Sequence, residues 1–296
     1  MEGELFALLY DLTWAEAKLR FRTKRVRYCD ALIALVYFWS VLHDRPVCWA
    51  CRACNWPPQW AWLCLPSNAT MSRRLKTYSC WSLIIGLFHR LLGADAAALS
   101  LCHRIDTKPL VVGGFSKDRD ARRGYATGGI AKGYKLAIAV AQGSMPQAMA
   151  LASLKHSDQQ MAMELIDQLS QGHRAVGGYL LADSTHDTNP LHQHAASASF
   201  QLLTPRKRPH TALGHRTHCP ARLRSIELLE GESNFGKQLY DQRSQIERDL
   251  AHVCSFGGGL QPLPSWVRTP RRVLRWTLAK FIIYALHARE QQGLAA

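Results

Sequence analysis

From about residue 100 onward, short apolar runs alternate with glycine, proline and polar turns. The runs are Leu110-Val111-Val112, Tyr134 to Ala141, Met149 to Leu154, Tyr179 to Ala182 and Phe200 to Leu203. Apolar segments of this length, bounded by turn residues, predict β-strands. Between the third and fourth runs, Met161, Leu165, Ile166 and Leu169 recur at helical spacing within Ser157 to Ser170, which predicts an amphipathic helix. Further helices are expected over about Asn189–Ala198, Gly236–Val253 and Arg271–His287. The order is strand, strand, strand, helix, strand, helix, strand, helix, an α/β pattern.

The first 93 residues read differently. They hold six tryptophans before Trp81 (Trp14, Trp39, Trp49, Trp56, Trp60 and Trp62) and the run Ala31 to Val36, which suits a buried helix capped by Asp30. Pro46, Pro57-Pro58 and Pro66 mark breaks. After them, Ser67 to Leu75 predicts a turn feeding a helix with basic residues in its first turns. A helix-turn-helix recognition element needs that arrangement, and an ordinary surface helix supplies it equally well. The expected organisation is a small helical module over 1–93, an α/β domain over 94–288 and a tail over 289–296.

Charge narrows the function. Lys and Arg number 37 against 22 acidic residues, a net +15, and the isoelectric point is near 9.7. Such an excess points to a polyanionic partner, nucleic acid before an anionic membrane. Lys18, Arg20, Arg22, Lys24, Arg25 and Arg27 form a run with no acid among them, a footprint for phosphates. Arg73 and Arg74 belong to the 67–75 element. Arg206, Lys207 and Arg208 open an acid-free stretch expected to be a basic DNA-contacting loop. The best apolar runs, Ala31 to Leu42 and Trp81 to Phe88, are too short to span a membrane. The N-terminus, Met1-Glu2-Gly3-Glu4, is acidic where a secretory signal is basic, so a cytoplasmic, nucleoid-associated protein is expected. Nine cysteines, an odd number, suggest reduced thiols. Cys48, Cys51 and Cys54 lack the fourth ligand a structural zinc site wants, and buried thiols are the expected reading. His210, His215, His218 and Cys219 are spaced more loosely still and fit a solvated loop.

Three acids occupy informative places: Asp106 at the start of the first strand region, Asp183 directly after Tyr179-Leu180-Leu181-Ala182, and Glu247 within a helix. A carboxylate at the end of a buried strand wants a positive partner or a metal. Tyr240, Arg243 and Glu247, at i, i+3 and i+7, share one helix face. Glutamate can bind metal, arginine can hold an oxyanion and tyrosine can hydrogen-bond a phosphate. An exposed Arg–Glu pair on a solvated helix has the same pattern. Asp187 stands as a rival to Asp183, and Asp118 and Asp120 read as solvated loop acids.

The Tyr-x2-Arg-x3-Glu spacing of Tyr240, Arg243 and Glu247 resembles the signature around the third acid of bacterial insertion-sequence transposases of the Asp-Asp-Glu type. Ile105 to Leu110 resembles that family's first-aspartate strand, Ala131 to Leu136 its second strand, and Leu181 to Asn189 its second-aspartate turn. Gly257 to Leu260, Trp266 to Arg268 and Trp276 to Tyr284 resemble its closing segment. Two departures stand out: Cys254 occupies the place seven after the glutamate where relatives often carry a base, and His186 replaces an aromatic residue.

The resemblance implies a ribonuclease-H-like fold, a mixed sheet flanked by helices and preceded by the helical module. It implies that Asp106, Asp183 and Glu247 hold two Mg²⁺ ions roughly 3.5–4 Å apart, with Mn²⁺ as a substitute. Arg243 and Tyr240 would support them, double-stranded DNA (transposon ends and target) would be the substrate, and a homodimer would pair two DNA ends. The alternative is a decayed or domesticated regulator of the same fold that binds DNA without cutting it.

Overall fold

The computed structural model describes residues 2–20, 26–93, 101–141, 146–171, 177–209, 211–214, 217–244, 248, 251–252, 259–291 and 293. Contacts divide the chain into two compact units. One gathers the N-terminal helices with the segment after residue 252, and the other holds residues 95–252. The C-terminal helix thus packs with the N-terminal helices, although the α/β pattern in the sequence leads straight into it.

In the first unit, α1 (Glu2–Lys18), α2 (Asp30–Leu42), α3 (Val47–Ala50), α4 (Asn68–Arg74) and α5 (Tyr78–Gly93) precede the segment 259–291. Ala31 and Ile33 to Val41 of α2 are buried on every side, as an apolar run without a polar face requires. The tryptophans explain the composition of this unit. Trp39 stacks on Trp56 with centroids 4.8 Å apart, Phe6 meets both edge-on, and the indole N–H of Trp56 donates to the Ala50 carbonyl at 2.7 Å.

Three expectations for this unit need correction. Asp30 does not cap α2: Cys29 holds the cap position, and Asp30 accepts from Arg74 Nη2 at 2.7 Å. The helix after Ser67 is capped by that serine's hydroxyl, as its sequence suggests, yet Arg73 and Arg74 fall in its last turn rather than its first, where cations suit the helix dipole. Of the three thiols expected to be buried, Cys48 and Cys54 are exposed and Cys51 is half-buried, because the short turns that carry them run over the surface.

The second unit is built on β1 (Cys102–Val111), β2 (Arg122–Ala126), β3 (Gly129–Val140), β4 (Pro146–Ser153), β5 (Gly178–Leu181) and β6 (Phe200–Leu203). The sheet runs β2-β3-β1-β5-β6, with β4 also on β3. β1 is antiparallel to β3 and parallel to β5, and β5 is parallel to β6. β2 and β4 share β3 end to end, β2 taking Gly129–Gly133 and β4 taking Tyr134–Val140. Gly133 is obligatory at the changeover, since a Cβ there would sit 2.3 Å from the Leu110 carbonyl oxygen.

Helices α6 (Asp158–Gln171) and α7 (Asn189–Ser197) cover one face. Met161, Leu165, Ile166, Leu191 and Ala195 close over Ile105, Ala137, Ala139, Leu180 and Ala182. Each fully buried leucine or isoleucine contributes about 1.5–3 kcal/mol. α8 (Pro220–Glu230) and α9 (Phe235–Asp241) follow, and α10 (Pro270–Gln291) belongs to the first unit. The second unit has a ribonuclease-H-like fold. No helix among the described residues is long and apolar enough to cross a membrane.

Candidate active site

The parallel pairing of β1 with β5 sets the site. Arg104 lies opposite Leu181; two residues further along each chain come Asp106 and Asp183. Asp106 and Asp183 therefore stand at the same end of the β1–β5 ladder, each two residues beyond its last pair. Side-chain alternation places both on the face opposite the Ile105–Leu180–Ala182 core. β5 ends at Leu181, so β1 has a strand partner on one side only around Asp106 and Pro109. That open side also accommodates a proline within a strand.

The two aspartates differ in environment. Burial raises the Asp106 carboxyl above its ordinary range, and Lys108, the Thr107 amide and Arg243 only partly counter it. Its Oδ1 accepts from Thr107 N at 2.8 Å, and Lys108 Nζ lies 3.5 Å from Oδ2. Asp183 caps the short 3-10 turn Ser184–His186. Burial pushes its carboxyl up, but hydrogen bonds from His186 and Thr185 outweigh that and hold it well below the usual range. His186 Nδ1 lies 2.8 Å from Asp183 Oδ1, and the Thr185 amide and hydroxyl donate to the same oxygen.

Helix α9 brings Tyr240 to the end of β5. Tyr240 donates its hydroxyl to the Ala182 carbonyl at 3.2 Å, next to Asp183. Arg104, buried beside Asp106 on the same face of β1, donates to the Gln242 carbonyl at 3.4 Å and to the Ala141 carbonyl. The charge of Arg243 acts on Asp106. The helix expected over Gly236–Val253 is interrupted: α9 ends at Asp241 with a turn at Gln242, and helical backbone resumes at Arg243. Glu247 lies outside the described residues, as does Cys254.

Asp187, the rival, is committed elsewhere. Arg222 grips it with two hydrogen bonds of 2.6 and 2.8 Å, the Lys207 amide adds a third, and its side chain is only 3% exposed. His192 stands 3.6 Å away. These bonds lower the Asp187 pKa against the opposing pull of burial. Asp118 is likewise not a solvated loop acid: it is buried and accepts from the Tyr134 hydroxyl at 2.8 Å.

The basic residues singled out in the sequence divide into engaged and exposed. Arg20 pairs with Glu16 at 2.9 Å, Arg74 with Asp30 at 2.7 Å, and Arg206 with Glu230 at 2.6 Å. Lys18, Arg27, Arg73, Lys207 and Arg208 are exposed. Arg22, Lys24 and Arg25 lie outside the described residues. The stretch expected as a basic loop after Arg206 contains α8, whose Arg222 anchors Asp187.

Among the described residues, no group of three His, Cys, Asp or Glu side chains could hold a metal. Asp106 and Asp183 nevertheless supply hard oxygen donors suited to a divalent cation, and the hydrogen bonds to Asp183 converge on Oδ1. Two residues beside the candidate acids were not singled out as site residues in the sequence, Arg104 and His186. Arg104 carried a signal, a cation in the middle of a buried strand; His186 was noticed only as a departure from a pattern.

A family model described as a transposase DDE domain matches residues 94–286. No curated protein and no solved structure matches the chain.

Proposed function

The chain belongs to the transposase DDE-domain family, and from that premise we propose that it binds transposon-end DNA and catalyses metal-dependent strand cleavage followed by strand transfer. What supports the reading is the end of the β1–β5 ladder, where Asp106 and Asp183 each follow the last pair by two residues and Tyr240 bonds the Ala182 carbonyl. With Glu247 as the third acid, the three carboxylates would hold Mg²⁺, or Mn²⁺ in its place. The bound metal supplies a polarised phosphoryl oxygen and a water acidic enough to attack at neutral pH.

The chain's own residues prepare that chemistry. His186 and Thr185 keep Asp183 ionised and fixed in orientation. Lys108 and Arg243 neutralise part of the Asp106 charge before metal arrives. Arg243 then holds a phosphate oxygen beside the cut, and Tyr240 fixes the helix to the strand end. In cleavage, a water oxygen bonds to phosphorus, the P–O3′ bond breaks, and the departing 3′-oxygen takes up a proton. In transfer, that 3′-hydroxyl attacks a phosphorus of the target strand, whose own 3′-oxygen leaves.

The exposed cations Lys18, Arg27 and Arg73 of the helical module, and Lys207 and Arg208 near the acids in sequence, contact DNA phosphates. A homodimer pairs the two transposon ends. Incubation of the protein with end DNA, a target plasmid and Mg²⁺ tests this reading. Joined donor–target products are expected. Cleaved ends without joining would reduce the activity to that of a nuclease, and binding without cleavage would favour the regulator.

A further inference from the structure

The first unit contains a cavity of about 460 Å³ between α4 and the start of α10. Its walls carry four cations, Lys76, Arg271, Arg272 and Arg275, and no acid among the described residues lines it. That balance differs from an ordinary polar cleft, where carboxylates usually interleave with bases.

Two further observations point to an anion. First, α10 begins with Arg271 and Arg272 and has no acid in its first turn. Cations at a helix N-terminus face the positive end of the dipole, an arrangement relieved when an anion sits there. Second, Arg275 Nε and Trp266 Nε1 are buried donors without an acceptor, and both residues line the cavity. A buried N–H left unpaired is costly.

The protein itself satisfies part of the basic set. Arg271 Nη2 donates to the Lys76 carbonyl at 2.9 Å, Arg275 Nη1 donates to the Leu75 carbonyl, and the Arg275 guanidinium lies over the Tyr37 ring, 5.2 Å from its centroid. These contacts fix two guanidinium groups in place. Lys76 and Arg272, both exposed, remain to meet a ligand.

We infer that this cavity is a phosphate-binding site that takes a nucleotide unit, with Lys76 and Arg272 contacting the phosphate and the Arg271 and Arg275 guanidinium groups fixed at its wall. Its volume falls in the range of small-molecule sites. The phosphate belongs either to a DNA strand or to a free nucleotide. The site lies in the unit that does not contain Asp106 and Asp183, so the inference stands without the catalytic reading.

The test uses the full chain in EDTA, which removes metal-held phosphate at the acids. Two probes are titrated, dAMP and a short DNA duplex of arbitrary sequence. Wild type is compared with Lys76→Gln/Arg272→Gln and with a control of equal charge change at exposed positions elsewhere, Arg119→Gln/Lys155→Gln. Loss of one charged hydrogen bond weakens binding about tenfold or more. A loss of that size for dAMP, absent in the control, assigns the site to a free nucleotide. The same loss for the duplex, with dAMP not bound, assigns it to a DNA phosphate. Stabilisation of wild type by inorganic pyrophosphate in thermal unfolding gives a readout that depends on no variant. If neither probe discriminates the pocket variant from the control, or if pyrophosphate leaves the melting temperature of wild type unmoved, the inference is overturned.

Discussion

Asp183 and Asp187 flank one short helical turn, and their surroundings give them different work. Asp187 is buried and gripped by Arg222, so it holds the end of the sheet to α8. Removing one partner of such a pair strands a buried charge, and Asp187→Ala is expected to cost about 3–5 kcal/mol in denaturant unfolding. Because its pKa is depressed in the fold, the stability it contributes is present above the ordinary aspartate range and disappears as pH falls through that range toward the folded value. An Asp187→Ala protein as stable as wild type would remove this assignment.

Asp106 has the opposite sign. Burial raises its pKa, so the ionised carboxylate opposes folding of the metal-free protein at neutral pH, and the penalty vanishes in acid, where both states are protonated. Asp106→Asn should therefore melt at a higher temperature than wild type in EDTA at neutral pH, with the difference closing as pH is lowered. A lower melting temperature for the variant under those conditions would contradict the account.

At the scale of elements, Gly133 is a position where space alone decides. Gly133→Ala drives a methyl into the Leu110 carbonyl at the β1–β3 junction. It should lower stability far more than Gly128→Ala, which meets only a strained backbone in open space, and melting curves of the two variants check the order. The apolar elements were legible in the sequence for simple reasons. α6 shows its Met161, Leu165, Ile166 and Leu169 stripe, and the runs of β3, β5 and β6 are continuous because both faces are covered or half-covered.

Elements carrying polar residues were legible only in part. β1 was expected from its apolar end at Leu110, yet it begins at Cys102, because Arg104 and Asp106 alternate with core residues such as Ile105. β2, with Arg122 and Arg123 exposed, carries no apolar run at all, and α8 is hidden in a basic stretch. The same logic separates the site residues. Asp106 and Asp183 were recognisable by their place next to strands. The engagement of Asp187, and the support given by Arg104 and His186, depend on partners far away in sequence: Arg222, and the carbonyls of Gln242 and Ala141.

For the whole molecule, the net charge of +15 predicts that DNA binding weakens steeply with salt. Lys207→Gln/Arg208→Gln should lower the slope of log affinity against log salt by about one to two phosphate contacts. A slope identical to that of wild type would mean that these exposed residues do not touch the backbone. In the proposed function, charge accounts for DNA binding and the acids Asp106, Asp183 and Glu247 for cutting. The most direct measurement is cleavage of transposon-end DNA in Mg²⁺ by wild type and by Asp183→Asn, with DNA binding followed in the same samples. The variant is expected to bind as wild type does while cleavage falls by at least about a hundredfold, the loss expected when a group acting mainly in the transition state is removed. Cleavage that survives in Asp183→Asn would contradict that expectation.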